Sequence, residues 1–408
     1  MPDERTQTPT APPSAPHRLR RLMLGGTAAV LRRAPAPHTL AEGGRLRVLL
    51  IRPDHLGDIL LMTPALAALR ATWPTAHITC LVGPWGEAVV RRNPSVDEVL
   101  TLPFPGFTRQ PKASAWDPYQ LAYREAQTLR GRFDIAVILR FDHWWGALLV
   151  ALARIPLRVG YDVPDVAPFL TTRVPYAPDT HATVLNLALI AALTGRPIDP
   201  DPIAWPMTFP VFDAERADAA AWLAERGVGP DDRLIAVHPG AGAEVKLWTN
   251  ENWSGVADAL AASGARVLLT GSAEEAALTA DIARRMRSPA VDAAGATSLP
   301  CLAALLQRCD VVLGPDAGIL HLATAVGAPT VRLYGPIDPR KFGPWGDPSR
   351  HRIVVAQPPL ACQFCDRLDY PPADLPLHPC VRWITVAQVL AAARNALESS
   401  HRGTEDSE

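Results

Sequence analysis

The feature that most constrains the fold of this chain is the alternation of short apolar runs with longer segments of helical spacing. The apolar runs are rich in Val, Leu and Ile, as buried parallel strands are. They occupy residues 48–51, 78–82, 135–139, 234–237, 266–270, 311–313 and 330–333. Because strands that alternate with helices form parallel sheets with helices on both faces, the sequence predicts an α/β protein.

A Pro-rich segment divides this alternation into two blocks. "TGRPIDPDPIAWPMTFPVFD", residues 194–213, contains five prolines and few periodic apolar residues, which is typical of a connector. We therefore predict a Rossmann-like domain over residues 45–205 and a second one over residues 206–384, with parallel sheets that face a central cleft. Residues 385–408 are predicted to form a C-terminal helix and a polar tail.

Composition excludes several classes of protein. A net charge of −1 provides no field that would attract nucleic acid, so no nucleic-acid partner is expected. The 408 residues contain no apolar run approaching the roughly 18 residues of a spanning helix, and the polar start does not resemble a secretory signal. Six cysteines in a chain of this length do not indicate a disulfide scaffold. We expect a cytoplasmic protein.

The N-terminal 44 residues are predicted to be a disordered, basic tail, because their first part is polar and Pro-rich. Arginines flank an apolar stretch within residues 18–33. Such a segment could contact anionic lipid peripherally on the cytoplasmic face of the inner membrane, or pack as a helix on the body of the protein.

The first polar turn follows the strand at residues 48–51. It opens "RPDHLGDILLMTPAL", residues 52–66, and carries Asp58 toward the start of a helix. Ligands bind outside the carboxyl ends of strands in open α/β sheets, although Asp58 could also merely cap the helix. Thr63 and Pro64 resemble a helix N-cap followed by proline at the first helical position.

The second block contains a glycine turn directly after a strand, "HPGAGAEVKLW". Gly240 and Gly242 permit close approach of a ligand to the backbone, and Lys246 supplies a positive charge, which together suit a phosphate. A dinucleotide fingerprint would need a further glycine at Val245, so neither NAD nor FAD is expected. The alternative is a simple glycine turn with an exposed lysine.

Another turn, "GPDAGILHLATAVGAPTV", follows a strand and opens a helix. The N–H groups of Ala317 and Gly318 at the helix start form an anion site. Asp316 could cap the helix or contact a ligand hydroxyl. His321, one turn into the helix, could donate to a phosphate oxygen, and a structural role is the alternative.

A further strand-to-helix turn, "LLTGSAEEAAL", carries Glu274 and Glu275. Either carboxylate could accept hydrogen bonds from ribose hydroxyls or a base amine, or could serve as an ordinary helix-dipole partner. Because the carboxyl ends of parallel strands lie along one edge, the polar turns of this block should converge on one rim of the sheet.

A group of zinc-ligand residue types lies near the C-terminus. Cys362, Cys365, His378 and Cys380 give the pattern C-x2-C-x12-H-x-C, in which only the first pair has a typical zinc spacing. A structural zinc is the alternative to our expectation of a metal-free chain. HExxH, Walker and GxSxG motifs are absent from the sequence.

The three motifs quoted for Asp58, Lys246 and His321 resemble, in the same order, the signatures of glycosyltransferase family 9, the bacterial heptosyltransferases. The resemblance spans roughly residues 45–395. It implies a GT-B fold, with an acceptor domain followed by a nucleotide-sugar donor domain. It also implies inverting transfer, without metal or cofactor, of a heptose or related sugar from an ADP-activated donor to a lipopolysaccharide-like or other cell-surface glycan or glycolipid acceptor.

The resemblance also implies roles for single residues. Asp58 matches the catalytic base, Lys246 the lysine that neutralises donor phosphates, and Ala241 and Gly242 the phosphate loop that accompanies it. The diphosphate-binding helix start is matched by Asp316, Ala317, Gly318 and His321. Glu274 or Glu275 falls near the residue that contacts the nucleoside.

Two alternatives to this function stay open. One is a transferase that uses a different nucleotide sugar, and the other is a non-catalytic nucleotide- or glycan-binding module. Retention of Asp58 together with Lys246 and His321 favours an enzyme, because binding alone needs no base. Acceptor contacts are assigned from position only, at the end of a strand in the first block and near a later helix: Arg140, Asp142, His143 and His181.

Overall fold

The computed structural model of this protein describes residues 45–108 and 114–405. The predicted N-terminal tail, residues 1–44, lies outside the described residues. Among the described helices, none combines the length and apolar character that crossing a bilayer requires.

The first sheet is parallel and contains six strands in the order β3-β2-β1-β4-β5-β6. Register is set by pairs such as Val48 with Ile135 between β1 and β4. The strands are β1 (Arg47–Arg52), β2 (His77–Val82), β3 (Glu98–Thr101), β4 (Ile135–Ile138), β5 (Leu157–Tyr161) and β6 (Thr172–Val174).

The second sheet is also parallel, with six strands in the order β12-β11-β10-β7-β8-β9. These are β7 (Leu234–Val237), β8 (Arg266–Leu269), β9 (Ala290–Asp292), β10 (Val311–Pro315), β11 (Thr330–Leu333) and β12 (His351–Val354). Read from its other edge, this order repeats that of the first sheet. It is the strand order of a Rossmann fold, so the predicted α/β class with two Rossmann-like sheets is confirmed.

Helices connect the strands in both blocks. In the first block they are α1 (Leu56–Thr72), α2 (Glu87–Val90), α3 (Asp117–Leu129), α4 (Trp144–Leu152) and α5 (Ala182–Thr194). In the second they are α6 (Asp213–Ala224), α7 (Asn250–Ala261), α8 (Ala276–Arg285), α9 (Leu299–Arg308), α10 (Gly318–Ala325), α11 (Pro339–Phe342) and α12 (Val386–Glu405).

By compactness the chain divides into two units. One takes its described residues from Met1–Ile51 and Thr108–Tyr176, and the other from Arg52–Phe107 and Ala177–Glu408. The loop and helix that carry Asp58 therefore belong to the same compact unit as the whole second sheet.

Helix α1 runs straight through Pro64, so the predicted N-cap at Thr63 is wrong. Pro64 has no N–H to give to the carbonyl of Leu60, and the Thr63 hydroxyl donates to that carbonyl instead, at 2.7 Å. The carbonyl of Leu61 accepts hydrogen bonds from Thr183 and Asn186 of α5, each at 3.1 Å. These side-chain bonds keep the helix continuous and fix α1 against α5.

Candidate functional site

A cavity of about 610 Å³ opens at the carboxyl end of the second sheet, and its lining residues all belong to one compact unit. Its volume suits a ligand the size of a nucleotide sugar. The structure brings to it the polar turns after β7, β8 and β10, together with the start of α1. The sequence-predicted residues in its lining are Asp58, Ala241, Gly242, Lys246, Glu275, Asp316, Ala317, Gly318 and His321.

Two helix N-termini meet in the lining of this cavity through a pair of glycines. A Cβ on Gly57 would lie 3.1 Å from Cδ2 of His321 and 3.3 Å from Cα of Gly318. A Cβ on Gly318 would lie 3.1 Å from the backbone nitrogen of Gly57. Because both helices present unpaired N–H groups and positive dipole ends here, the cavity favours an anionic ligand.

Asp58 lies in the first turn of α1 and is held by an arginine. Its Oδ1 accepts a hydrogen bond from Arg52 at 2.9 Å, and the Asp58 side chain is 34% exposed. Arg52 is itself fixed by an ion pair with the buried Asp54 at 2.7 Å. The carboxylate is thus both oriented and accessible from the cavity, as a proton acceptor must be.

Lys246, in the turn after β7, forms an ion pair with Asp316, in the turn after β10. The Nζ–Oδ2 distance is 2.6 Å, and Nζ also donates to the Asp316 carbonyl at 3.2 Å. The predicted N-capping role of Asp316 is wrong, because the cap position is Ala317 and no side chain caps it. The carboxylate instead positions the ammonium group beside the start of α10.

His321 is buried, and its ring lies beside the guanidinium of Arg332. Arg332 Nη1 lies 3.3 Å from His321 Nδ1, and since a guanidinium can only donate, Nδ1 accepts. Burial, and after it the charge of Arg332, hold the pKa of His321 well below its usual range. The neutral ring therefore carries its proton on Nε2 and can donate it to a ligand oxygen.

Glu275 lines the cavity from the turn after β8. Its Oε2 accepts from the backbone N–H of Ser272 at 2.8 Å, and a Cβ on Gly240 would overlap its carboxylate. The absence of a Cβ at Gly240 thus leaves the space that the Glu275 carboxylate occupies. Glu274 is exposed and does not line the cavity.

Sequence reasoning missed His238, which also lines the cavity. Its Nδ1 lies 3.2 Å from the carbonyl oxygen of Thr270, an acceptor only, so Nδ1 donates. Burial lowers the pKa of His238, although Glu275 opposes that shift. The neutral ring leaves Nε2 as a hydrogen-bond acceptor beside Glu275. The position of His238 directly after β7 was the sequence feature that could have identified it.

Arg140, Asp142 and His143 belong to the other compact unit. Arg140 and Asp142 pair with each other at 2.5 Å, and His143 is buried at the start of α4. His181 caps α5 by accepting from Thr183 N–H and stacks on Trp345. Their assignment to acceptor binding stays a prediction.

The cysteine group lies in the segment between β12 and α12. Cys362 and Cys365 are exposed, Cys380 is buried, and the ring of His378 contacts that of Tyr370 at an interplanar angle of 31°. In the part of the chain that the structure describes, no three His, Cys, Asp or Glu side chains are arranged to hold a metal ion.

The glycine contact between α1 and α10 yields a stability prediction. Gly255→Ala, in the open middle of α7 with Val386 Cγ2 at 3.8 Å, is expected to raise the free energy of unfolding by about 0.5–1 kcal/mol. Gly57→Ala is expected to show no such increase in the free energy of unfolding, because the added Cβ would press on His321 and Gly318. Urea denaturation of both variants measures this, and an equal gain in both would contradict the close contact.

Comparison with known proteins decides the family. The model of the family described as glycosyltransferase family 9 (heptosyltransferase) matches residues 122–365, which is more than half of the chain. The chain belongs to glycosyltransferase family 9. The matched range contains the turns of Lys246, Glu275 and His321, while Asp58 lies before it.

Named relatives of this glycosyltransferase are heptosyltransferases. Lipopolysaccharide heptosyltransferase 3 of Escherichia coli is 28% identical over 297 residues, covering 71% of this chain and 84% of the relative. The crystal structure of a family 9 glycosyltransferase from Veillonella parvula DSM 2008 aligns with TM-score 0.71 at 22% identity, covering 86% and 97% of the two chains.

The E. coli ADP-heptose lipopolysaccharide heptosyltransferase II structure aligns with TM-score 0.68 at 22% identity, covering 87% of this chain and all of that one. At this identity the alignment establishes the fold. This family 9 enzyme has the GT-B fold, in agreement with its two Rossmann-like sheets.

Proposed function

We propose that this enzyme transfers a heptose from ADP-heptose to a lipopolysaccharide-like glycolipid, with inversion and without a bound metal. The observation that carries the proposal is that an accessible carboxylate, Asp58, lines one cavity with Lys246, His321 and the N-terminus of α10. A base and a diphosphate-binding group in one cavity are the two elements that glycosyl transfer from a nucleotide needs.

The leaving group is the diphosphate. As the bond between the anomeric carbon and the diphosphate oxygen breaks, negative charge accumulates on that oxygen. Lys246, the Nε2–H of His321 and the N–H groups at the start of α10 stabilise it electrostatically. Because these donors are fixed before the substrate binds, little reorganisation is required during the reaction.

The base is Asp58. The acceptor hydroxyl oxygen forms a bond to the anomeric carbon from the face opposite the diphosphate, and its proton passes to the Asp58 carboxylate. The transition state resembles an oxocarbenium ion, as in glycoside hydrolysis, and attack from the opposite face inverts the configuration. The bond from Arg52 keeps the carboxylate directed at the cavity.

The donor and the acceptor are inferred from the relatives. The names of the similar proteins specify ADP-heptose and lipopolysaccharide. Glu275, and the Nε2 of His238, offer acceptors for ribose hydroxyls or the adenine amine. With a lipid-linked acceptor, the reaction would take place at the cytoplasmic face of the inner membrane, and Arg140, Asp142 and His143 remain the predicted acceptor contacts.

We expect the purified enzyme to consume ADP-heptose at least about tenfold faster than ADP-glucose, UDP-N-acetylglucosamine or GDP-mannose, a difference of about 1.4 kcal/mol. Mass spectrometry of the products, with a deacylated lipopolysaccharide core as acceptor, measures the preference. Preferred turnover of another nucleotide sugar would overturn the donor assignment. Absence of binding to any nucleotide sugar would overturn the transferase proposal itself.

A further inference from the structure

A fully buried arginine lies directly behind the cavity. Arg332, in the middle of β11, has 0% of its surface exposed. Its guanidinium donates to the carbonyl of Leu320 at 2.7 Å, to the hydroxyls of Thr324 and Thr330, and to Nδ1 of His321 at 3.3 Å. None of the ion pairs in residues 45–108 and 114–398 involves Arg332.

A buried cation with neutral partners alone is unusual, because desolvation of an unpaired charge costs several kcal/mol. The guanidinium cannot relieve this cost by losing its proton. Its hydrogen bonds satisfy its donors but leave its positive charge uncompensated, beneath the helix start where the diphosphate is proposed to bind.

The other charged and titratable groups around His321 do not replace this charge. They are His351 of β12, His181 at the start of α5, Asp58 of α1, and Lys246 after β7 with its partner Asp316. Burial lowers the pKa of His351 to about 3 and that of His181 to about 4, so both rings are neutral near neutral pH. Lys246 is already paired with Asp316.

We propose that Arg332 is a positioning residue that fixes His321 as the Nε2–H tautomer and adds its own charge to the diphosphate site. This inference rests on the proposed function only for what His321 does in the reaction. The bond from Arg332 to Nδ1 leaves Nε2 as the sole donor of the ring. A ring in the other tautomer would present a lone pair, and would repel a phosphate oxygen.

The tautomer is tested first on the wild-type protein, with ¹⁵N NMR of the histidine rings. We expect His321 to be neutral and protonated on Nε2 between about pH 6 and about pH 8. Assignment comes from loss of the signal in His321→Gln. A cationic ring, or one protonated on Nδ1, would overturn the proposal, and this readout needs no sugar transfer.

The functional test uses Arg332→Met and Arg332→Lys, which remove the donor and retain a charge respectively. Arg332→Met is expected to lower kcat by about tenfold to a hundredfold, to mix the two tautomers and to raise the pKa of His321, with partial rescue in Arg332→Lys. Because an imidazolium carries a proton on both ring nitrogens, acidification should restore the Nε2–H donor and raise the rate of the Met variant relative to that of the wild type.

The matched control is Arg158→Met. Arg158 is a second buried strand arginine, in β5, whose guanidinium donates to the backbone carbonyls of Phe169 and Ile155. We expect Arg158→Met to lower the free energy of unfolding but to leave kcat and its pH profile unchanged. An unchanged tautomer and pH profile in folded Arg332→Met would overturn the proposal. Normal NMR results without transfer by the wild type would instead count against the proposed function.

Discussion

Asp58→Asn is expected to lower kcat by about a hundredfold to ten-thousandfold, the range for loss of a general base, while ADP affinity changes by less than about twofold. The amide keeps the shape of the side chain and an oxygen that can accept from Arg52. It cannot take the proton of the acceptor hydroxyl. Single-turnover kinetics with ADP-heptose, and calorimetric titration with ADP, separate the two effects.

The control for this variant is Asp134→Asn. Asp134 is also held by an arginine, Arg47, at 2.7 Å, and its side chain is 30% exposed against 34% for Asp58. Asp134→Asn should lower the free energy of unfolding and leave kcat unchanged. If Asp58→Asn behaves like the control, with lower stability and unchanged turnover, then Asp58 is a helix-start residue and the base lies elsewhere.

The position of the site was predictable because parallel sheets place the carboxyl ends of their strands along one edge. Each quoted motif follows a strand, so the turns of Lys246, Glu275 and His321 could be expected to meet without knowledge of their contacts. The edge strands β3, β6, β9 and β12 and the inner strand β5 were not predicted. The four edge strands are short, mix polar with apolar residues and are less buried than the central strands.

What the sequence could not indicate was pairing between distant residues. Nothing near Asp316 shows that its carboxylate meets Lys246, and the local pattern offered a helix cap or a ligand contact instead. Arg332 was overlooked for the same reason, although an arginine within "PTVRLYG" was a visible signal. A charged residue inside a buried strand requires partners, and only the fold shows that one of them is His321.

The pair of Lys246 and Asp316 gives the second large expected effect. Lys246→Met is expected to lower kcat by about a hundredfold to a thousandfold, as removal of a preorganised donor does. It also leaves the Asp316 carboxylate, whose side chain is 10% exposed, without its cation beside the site of the diphosphate. Two negative groups in one partly buried site repel each other. The loss of kcat in Lys246→Met should therefore exceed the loss expected from removal of the donor alone.

The double variant Lys246→Met/Asp316→Asn should therefore be about tenfold more active, and bind ADP about tenfold more tightly, than Lys246→Met, a difference of about 1.4 kcal/mol. The matched control is the same set of single and double variants at Lys341 and Asp366, which pair at 2.8 Å outside the cavity lining. In these control variants kcat should stay constant. Additive losses at Lys246 and Asp316 would contradict the electrostatic account. The lysine would then act by position alone, and the diphosphate charge would be stabilised chiefly by His321 and the start of α10.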